Sequence, residues 1–265
     1  MYGNFFTGKT VWLTGASSGI GKALAVELSR AGAVLITTSR NAQQLEAMRA
    51  MLPFPEKCHI FPADLGDEQQ VKAVAEEVKS RHSVDILFLN AGISQRSLAK
   101  DTPVDVDRKL MEVNFFSSVI LSKSLLPDML EKKSGHFAVI SSVTGHIGAP
   151  FRSGYAASKH AIHGFFESLW AENANAGIDI SIISPGYIHT NISVNALTAD
   201  GTPQNSMDEN TGKGMSPEEM AQKVLKGISK KKKEIYVGGK EILGIYLKRF
   251  IPALYYRIIR NYKKP

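Results

Sequence analysis

A chain of 265 residues with 43% hydrophobic and 22% charged residues can bury a sizeable core, which excludes wholesale disorder. Its single cysteine, Cys58, excludes an internal disulfide or a thiolate zinc site and fits a reducing, cytoplasmic setting. The net charge of +7 is lopsided: residues 230–265 carry eleven Lys and Arg against two acidic residues, so a basic tail is expected rather than a nucleic-acid-binding surface.

In chain order, residues 1–9 show no secretory signal. An apolar strand is expected over 10–13, then a glycine-rich turn over 15–21 and a helix over 22–30. The β-branched run 33–38 reads as a buried strand, 43–51 as a helix, 59–62 as a short strand and 68–80 as a helix with Val71, Val74, Ala75 and Val78 on one face. A strand over 85–89 precedes a long helical region over 105–130 and a strand over 135–141. A helix over 155–173, a strand over 179–184, a helix over 218–227 and a strand over 234–237 complete the pattern. Alternating apolar strands and helices imply parallel βαβ units. The expectation is a single Rossmann-like, doubly wound α/β domain over 1–240, with about seven parallel strands flanked by helices on both faces. Residues 191–214 lack apolar periodicity and read as a lid. No uncharged stretch reaches the roughly 18 residues of a membrane-spanning helix.

The run Thr14, Gly15, Ala16, Ser17, Ser18, Gly19, Ile20, Gly21 lies between the first strand and the first helix. Glycines there permit a tight turn and a close approach of backbone to a pyrophosphate, and the helix N-terminus supplies N–H groups. The same run fits G-x-S-x-G, the nucleophile elbow of hydrolases. Only about fourteen residues precede it, too few to build the strands and loop that such an elbow needs. The second strand ends at Ser39 and Arg40, where an acidic residue would bind the ribose 2′-OH of NAD. A hydroxyl and a cation suit a 2′-phosphate instead, which favours NADP(H) over NAD(H).

Tyr155 and Lys159 are four apart on an expected helix and therefore neighbours on one face. A nearby ammonium favours the phenolate, so Tyr155 is a candidate acid/base. Ser142 follows an expected strand, where ligands bind in open α/β sheets, and is placed to hydrogen-bond a substrate oxygen.

With Asn90-Ala91-Gly92, Asn114 and Pro185-Gly186, these motifs stand in the order and spacing of the short-chain dehydrogenase/reductase family, which the chain resembles over residues 7–240. The stretches 150–160 and 183–196 resemble the dehydrogenase/reductase family member 7 and 7B subgroup. The resemblance implies that Tyr155 is the acid/base, that Lys159 lowers its pKa and binds the nicotinamide ribose, and that Ser142 orients the substrate oxygen. It implies that Asn114 holds a water linking Lys159 to solvent. Asp64, with Leu65, would meet the adenine, and Asn90, Ala91 and Gly92 would lie beside the adenosine. Pro185, Gly186, Ile188 and Thr190 would shape the nicotinamide pocket. The family often has Asn where this chain has Leu89, inside an apolar strand. A homodimer or homotetramer follows from the resemblance alone.

The seven histidines show no metal-ligand spacing; His160 and His163 are three apart without a third ligand, so no metal is expected. Phe151, Tyr187 and His189 are candidates for either the substrate pocket or packing. Phe115, Phe116, Phe165 and Phe166 are expected to fill core or a helix–helix interface. The tail 241–265 is a basic amphipathic segment kinked at Pro252, suited either to peripheral membrane contact or to covering the substrate pocket. The expected function is an NADP(H)-dependent carbonyl reductase or alcohol dehydrogenase acting on the CH–OH group of a hydrophobic substrate. The rival readings are a non-catalytic NADP-binding sensor or membrane-associated scaffold, and an epimerase or dehydratase, which usually carries a longer C-terminal substrate domain than the 80 residues that follow Pro185 here.

Overall fold

In the computed structural model, residues 2–261 are described. Tyr262, Lys263 and Lys264 of the basic tail lie outside them. The elements in order are β1 (Thr10–Thr14), α1 (Gly19–Arg30), β2 (Val34–Thr38), α2 (Ala42–Ala50), β3 (Cys58–Ile60), α3 (Glu68–Arg81) and β4 (Ile86–Leu89). They continue with α4 (Val104–Met111), α5 (Ser117–Glu131), β5 (Gly135–Ile140), α6 (Ser153–Glu172) and β6 (Ile178–Pro185). The last are α7 (Glu209–Gly212), α8 (Pro217–Ile228), β7 (Glu234–Val237), α9 (Leu243–Phe250) and α10 (Pro252–Ile259).

All seven strands pair in parallel, in the order β3-β2-β1-β4-β5-β6-β7. The order reverses between β1 and β4, and a crevice opens there at the strand C-terminal ends. Both faces are covered, which is why β4 and β5 are buried along their whole length. Period-two alternation sorts β1: Val11 and Leu13 enter one core with Leu24, Leu28, Met220 and Val224, while Trp12 enters the other with Val71, Leu121 and Phe166. Side chains fix several helix starts. Asn41 caps α2, Asp67 caps α3 and Ser216 caps α8, with Pro217 in its first turn.

Three elements depart from expectation. The first helix begins at Gly19, three residues early, because its glycines serve both the turn and the first helical turn. The region 105–130 is not one helix: a π-helical turn, Glu112–Phe116, separates α4 from α5. One residue too many is accommodated there, which turns Asn114 inward. The segment 191–214, expected as a lid, is ordered rather than structureless. Leu197 bridges to Gln95 and Pro203, Ile188 bridges to Met215, and α7 forms within the lid.

Candidate active site

The turn after β1 is shaped by two left-handed glycines, Gly15 (φ +65) and Gly19 (φ +52). A Cβ on Gly21 would stand 2.0 Å from the Gly15 carbonyl oxygen, so helix and turn touch without room for a methyl group. Thr14 ties this turn to the next: its Oγ1 donates to the Phe88 carbonyl and accepts from the N–H groups of Asn90 and Ala91. Asn90 Nδ2 donates to the carbonyls of Thr14 and Gly15. Thr14 and Asn90 therefore brace the cradle. Ser18 starts α1 without a side-chain cap, which leaves the first N–H groups of the helix for an anion.

At the end of β2, Ser39 Oγ is buried without a hydrogen-bond partner, and Arg40 is exposed beside it. An orphaned hydroxyl, a cation and a cradle closed to Cβ atoms fit an adenine dinucleotide bearing a 2′-phosphate. Asp64 accepts from the Gly66 N–H and holds its own turn. The Leu65 side chain lies in the core.

A cavity of about 240 Å³ opens over the ends of β4, β5 and β6. Ser142, Tyr155 and Lys159 line it, together with Ile20, Asn90, Gly92, Pro185, Gly186, Ile188 and Thr190. Ser142 Oγ accepts from both the N–H (3.2 Å) and the hydroxyl (3.0 Å) of Thr144, which occupies its lone pairs and leaves its proton to donate elsewhere. Lys159 Nζ donates to the Ile140 carbonyl at 2.8 Å and stands 5.9 Å from the Tyr155 ring centre. Burial pushes this ammonium down to about 8. Burial raises the Tyr155 phenol above its ordinary value, against opposing pulls from Ser142, Arg152 and Arg96. The expected lowering of Tyr155 by Lys159 is not what dominates here.

Asn114 is locked in place. Its Oδ1 accepts from the Ile93 N–H, and its Nδ2 donates to the Ile93 carbonyl and to Ser158 Oγ. Gly92 packs against Asn114, so a Cβ there would crowd its Oδ1 at 3.2 Å while meeting Lys159 Nζ at ordinary contact distance.

Of the undecided aromatics, Tyr187 lines the cavity. His189 is exposed, and neither it nor Phe151 is among the lining residues. Phe166 is core, whereas Phe116 is exposed. The fold also brings Glu167 and Glu234 to His163, with potential ligand atoms within 4.8 Å of one another. Both carboxylates are exposed; Glu167 pairs with His163, and Glu234 accepts from Tyr236.

Several site residues carry no sequence motif. Gln95 Oε1 accepts from the N–H groups of Gly154 and Tyr155 and so fixes the start of α6. Arg96 grips the lid residue Asp208 through Nε (2.8 Å) and Nη2 (2.5 Å), and Arg152 approaches the same oxygen at 3.4 Å. All three are buried. Glu241 accepts from the N–H groups of Tyr187 and Gly239, tying the tail to the pocket.

Fold and site together are those of an oxidoreductase with a buried tyrosine–lysine pair beside a cradle that fits a dinucleotide. The sequence matches the short chain dehydrogenase family over residues 9–200, and the chain belongs to that family. It is 43% identical over 258 residues to dehydrogenase/reductase SDR family member 7B of Mus musculus, covering 95% of this chain and 80% of that protein. A putative NAD(P)-dependent gluconate 5-dehydrogenase from Beutenbergia cavernae with bound NADP superposes with a TM-score of 0.77 at 28% identity, over 89% of this chain and 97% of the other. A short-chain dehydrogenase/reductase from Burkholderia phymatum in complex with NAD gives a TM-score of 0.80 at 22% identity, over 94% and 95% of the two chains, a likeness of fold.

Proposed function

We propose that this oxidoreductase is an NADP(H)-dependent carbonyl reductase or alcohol dehydrogenase acting on a hydrophobic ketone, aldehyde or alcohol. The observation that carries the reading is the convergence of half-buried Ser142 and buried Tyr155 and Lys159 on one cavity beside the glycine cradle. Related structures hold either NADP or NAD, so the choice of NADP rests on this chain's own Ser39 and Arg40.

When bound, the nicotinamide supplies or accepts a hydride at the substrate carbon. The rest is the work of side chains. Ser142 donates a hydrogen bond to the substrate oxygen and stabilises negative charge as it builds there. The raised Tyr155 phenol keeps its proton near neutrality and delivers it to that oxygen in the reducing direction. Lys159 is still largely protonated at pH 7, and its charge stabilises the phenolate that remains. Asn114, fixed in the π-helical turn, would hold a water through which Lys159 exchanges protons with solvent, as the family resemblance implies. Apolar lining at Val143, Ile147, Ile188, Ile192 and Ile259 favours an apolar substrate.

Equilibrium binding of NADPH and NADH, followed by NADPH oxidation over a panel of apolar ketones and aldehydes, tests the reading. Tyr155→Phe should bind NADPH as the native chain does and lose ~10²–10⁴-fold in turnover. Tight NADPH binding with native and variant chains equally inert on every compound would instead favour the non-catalytic sensor.

A further inference from the structure

The tail that follows β7 divides its apolar residues between two sides. On the inner side, Ile242, Ile245, Leu247, Tyr255 and Ile259 pack on Val143 and Ile147, in the loop after Ser142. The Tyr255 hydroxyl donates to the Gly148 carbonyl, and Lys248 Nζ donates to the His146 carbonyl. On the outer side, Leu243, Phe250 and Tyr256 are 64%, 76% and 61% exposed, joined by the exposed Tyr246, Ile251, Leu254 and Ile258. This concentration of exposed large apolar side chains on one short helical pair is not ordinary surface.

We propose that the outer side of α9 and α10 docks on an anionic lipid surface, and that the cavity takes its apolar substrate from that surface. Charge selects the occupant. No acidic residue follows Glu241, while the exposed Arg249, Arg257 and Arg260 accompany the apolar side chains. A second copy placed symmetrically on this patch would face cation with cation. A bilayer with anionic headgroups satisfies both the apolar residues and the cations, and tyrosines beside phenylalanine and isoleucine suit the interface. Each helix has 8 residues, about 12 Å, so the pair lies along the surface and does not cross it. Among the described residues no helix is long and apolar enough to cross a membrane. The same segment walls the cavity through Glu241 and Ile259, which places the lipid contact next to the site. The substrate half of this proposal rests on the reductase reading; the docking half does not.

The test is flotation of the full chain with vesicles of phosphatidylcholine alone or mixed with phosphatidylserine, at low and high salt. The native chain should float with the anionic vesicles, more weakly at high salt. The pair Phe250→Glu and Ile258→Glu, both exposed and outside the catalytic set, should cut binding ~10-fold or more while leaving NADPH affinity unchanged. Gel filtration without lipid should show the same elution for both chains. Absence of flotation, or equal flotation of both chains, overturns the docking. Elution of the variant as a smaller species, with no flotation of the native chain, makes a second copy the occupant and also overturns it. For delivery, the variant should slow reduction of a ketone dissolved in the vesicles and spare a water-soluble one. An equal loss on both overturns delivery. Inertness of the native chain on every ketone sinks the reductase reading and delivery with it, while flotation still decides docking.

Discussion

Tyr155 and Lys159 stand one helical turn apart on α6, and each is nearly inaccessible to water. Desolvation disfavours the charged form of both, so it raises the phenol and lowers the ammonium to about 8. In this state the pair is a proton donor backed by a cation, which suits reduction near neutrality. The proposed preference for NADP(H) rests on a different residue. Arg40 is exposed, and no carboxylate among the described residues pairs with it. Replacing it with alanine, Arg40→Ala, should weaken NADPH binding ~10-fold or more and leave NADH binding unchanged, since a charge-assisted contact to phosphate contributes about 1.5–3 kcal/mol. Fluorescence titration with both nucleotides decides; equal losses for the two would remove Arg40 from 2′-phosphate recognition. Tyr155, Lys159 and Ser142 were legible in the sequence because their spacing and strand-end position carry the chemistry. Gln95, Arg96, Arg152 and Asp208 were not: 112 residues separate Arg96 from Asp208, and only the folded lid brings them together.

The elements the sequence misread are those whose shape depends on tertiary partners. The π-helical turn at Glu112–Phe116 looks helical to any periodicity count, yet its extra residue buries Asn114 against Ile93 and Ser158. The lid looks irregular because its order comes from polar contacts rather than from an apolar stripe. Asp208 is the centre of that order. Burial pushes its carboxyl up, but hydrogen bonds from Arg96 and Gln204 and the charges of Arg96 and Arg152 outweigh this and hold it below the usual range. Asp208→Asn should therefore leave Arg96 buried without its counter-charge and cost about 3 kcal/mol. Urea unfolding should show the loss, and limited proteolysis should cut faster within 198–206. An unchanged midpoint and unchanged cleavage would mean that Leu197 and Ala196, also buried, hold the lid without the ion pair. At the tail, the sequence left docking and membrane contact as alternatives. The helices are broken at Ile251, just before Pro252, and one side of the pair is docked while the other is exposed.

At the scale of the whole molecule, the seven-stranded sheet and its two covered faces followed from sequence because buried parallel strands are apolar along their length. That same burial encloses polar residues whose titration the pattern does not reveal. His136 lies within the interior strand β5, with Nε2 against Ser181 Oγ at 2.9 Å and Nδ1 unpartnered. Burial pulls it down to about 4, with Asp179 opposing and Lys231 and Lys9 assisting. His146 and His163, whose ring centres are 4.2 Å apart, are also held at about 4, first by burial. In each case the folded value lies below the ordinary one of 6.5, so the unfolded chain binds protons that the folded chain refuses. The stability from keeping these rings neutral is fully present above pH 6.5 and is lost as pH falls from 6.5 toward 4. Each proton taken up contributes a slope of about 1.4 kcal/mol per pH unit, so His136 alone accounts for roughly 3 kcal/mol across the window. Urea midpoints measured between pH 7 and 4 should fall steeply below 6.5, before the carboxylates with lowered pKa, such as Asp208, begin to protonate. A midpoint that stays flat down to pH 4.5 would show that the rings gain protons inside the folded protein and that the sheet tolerates their charge.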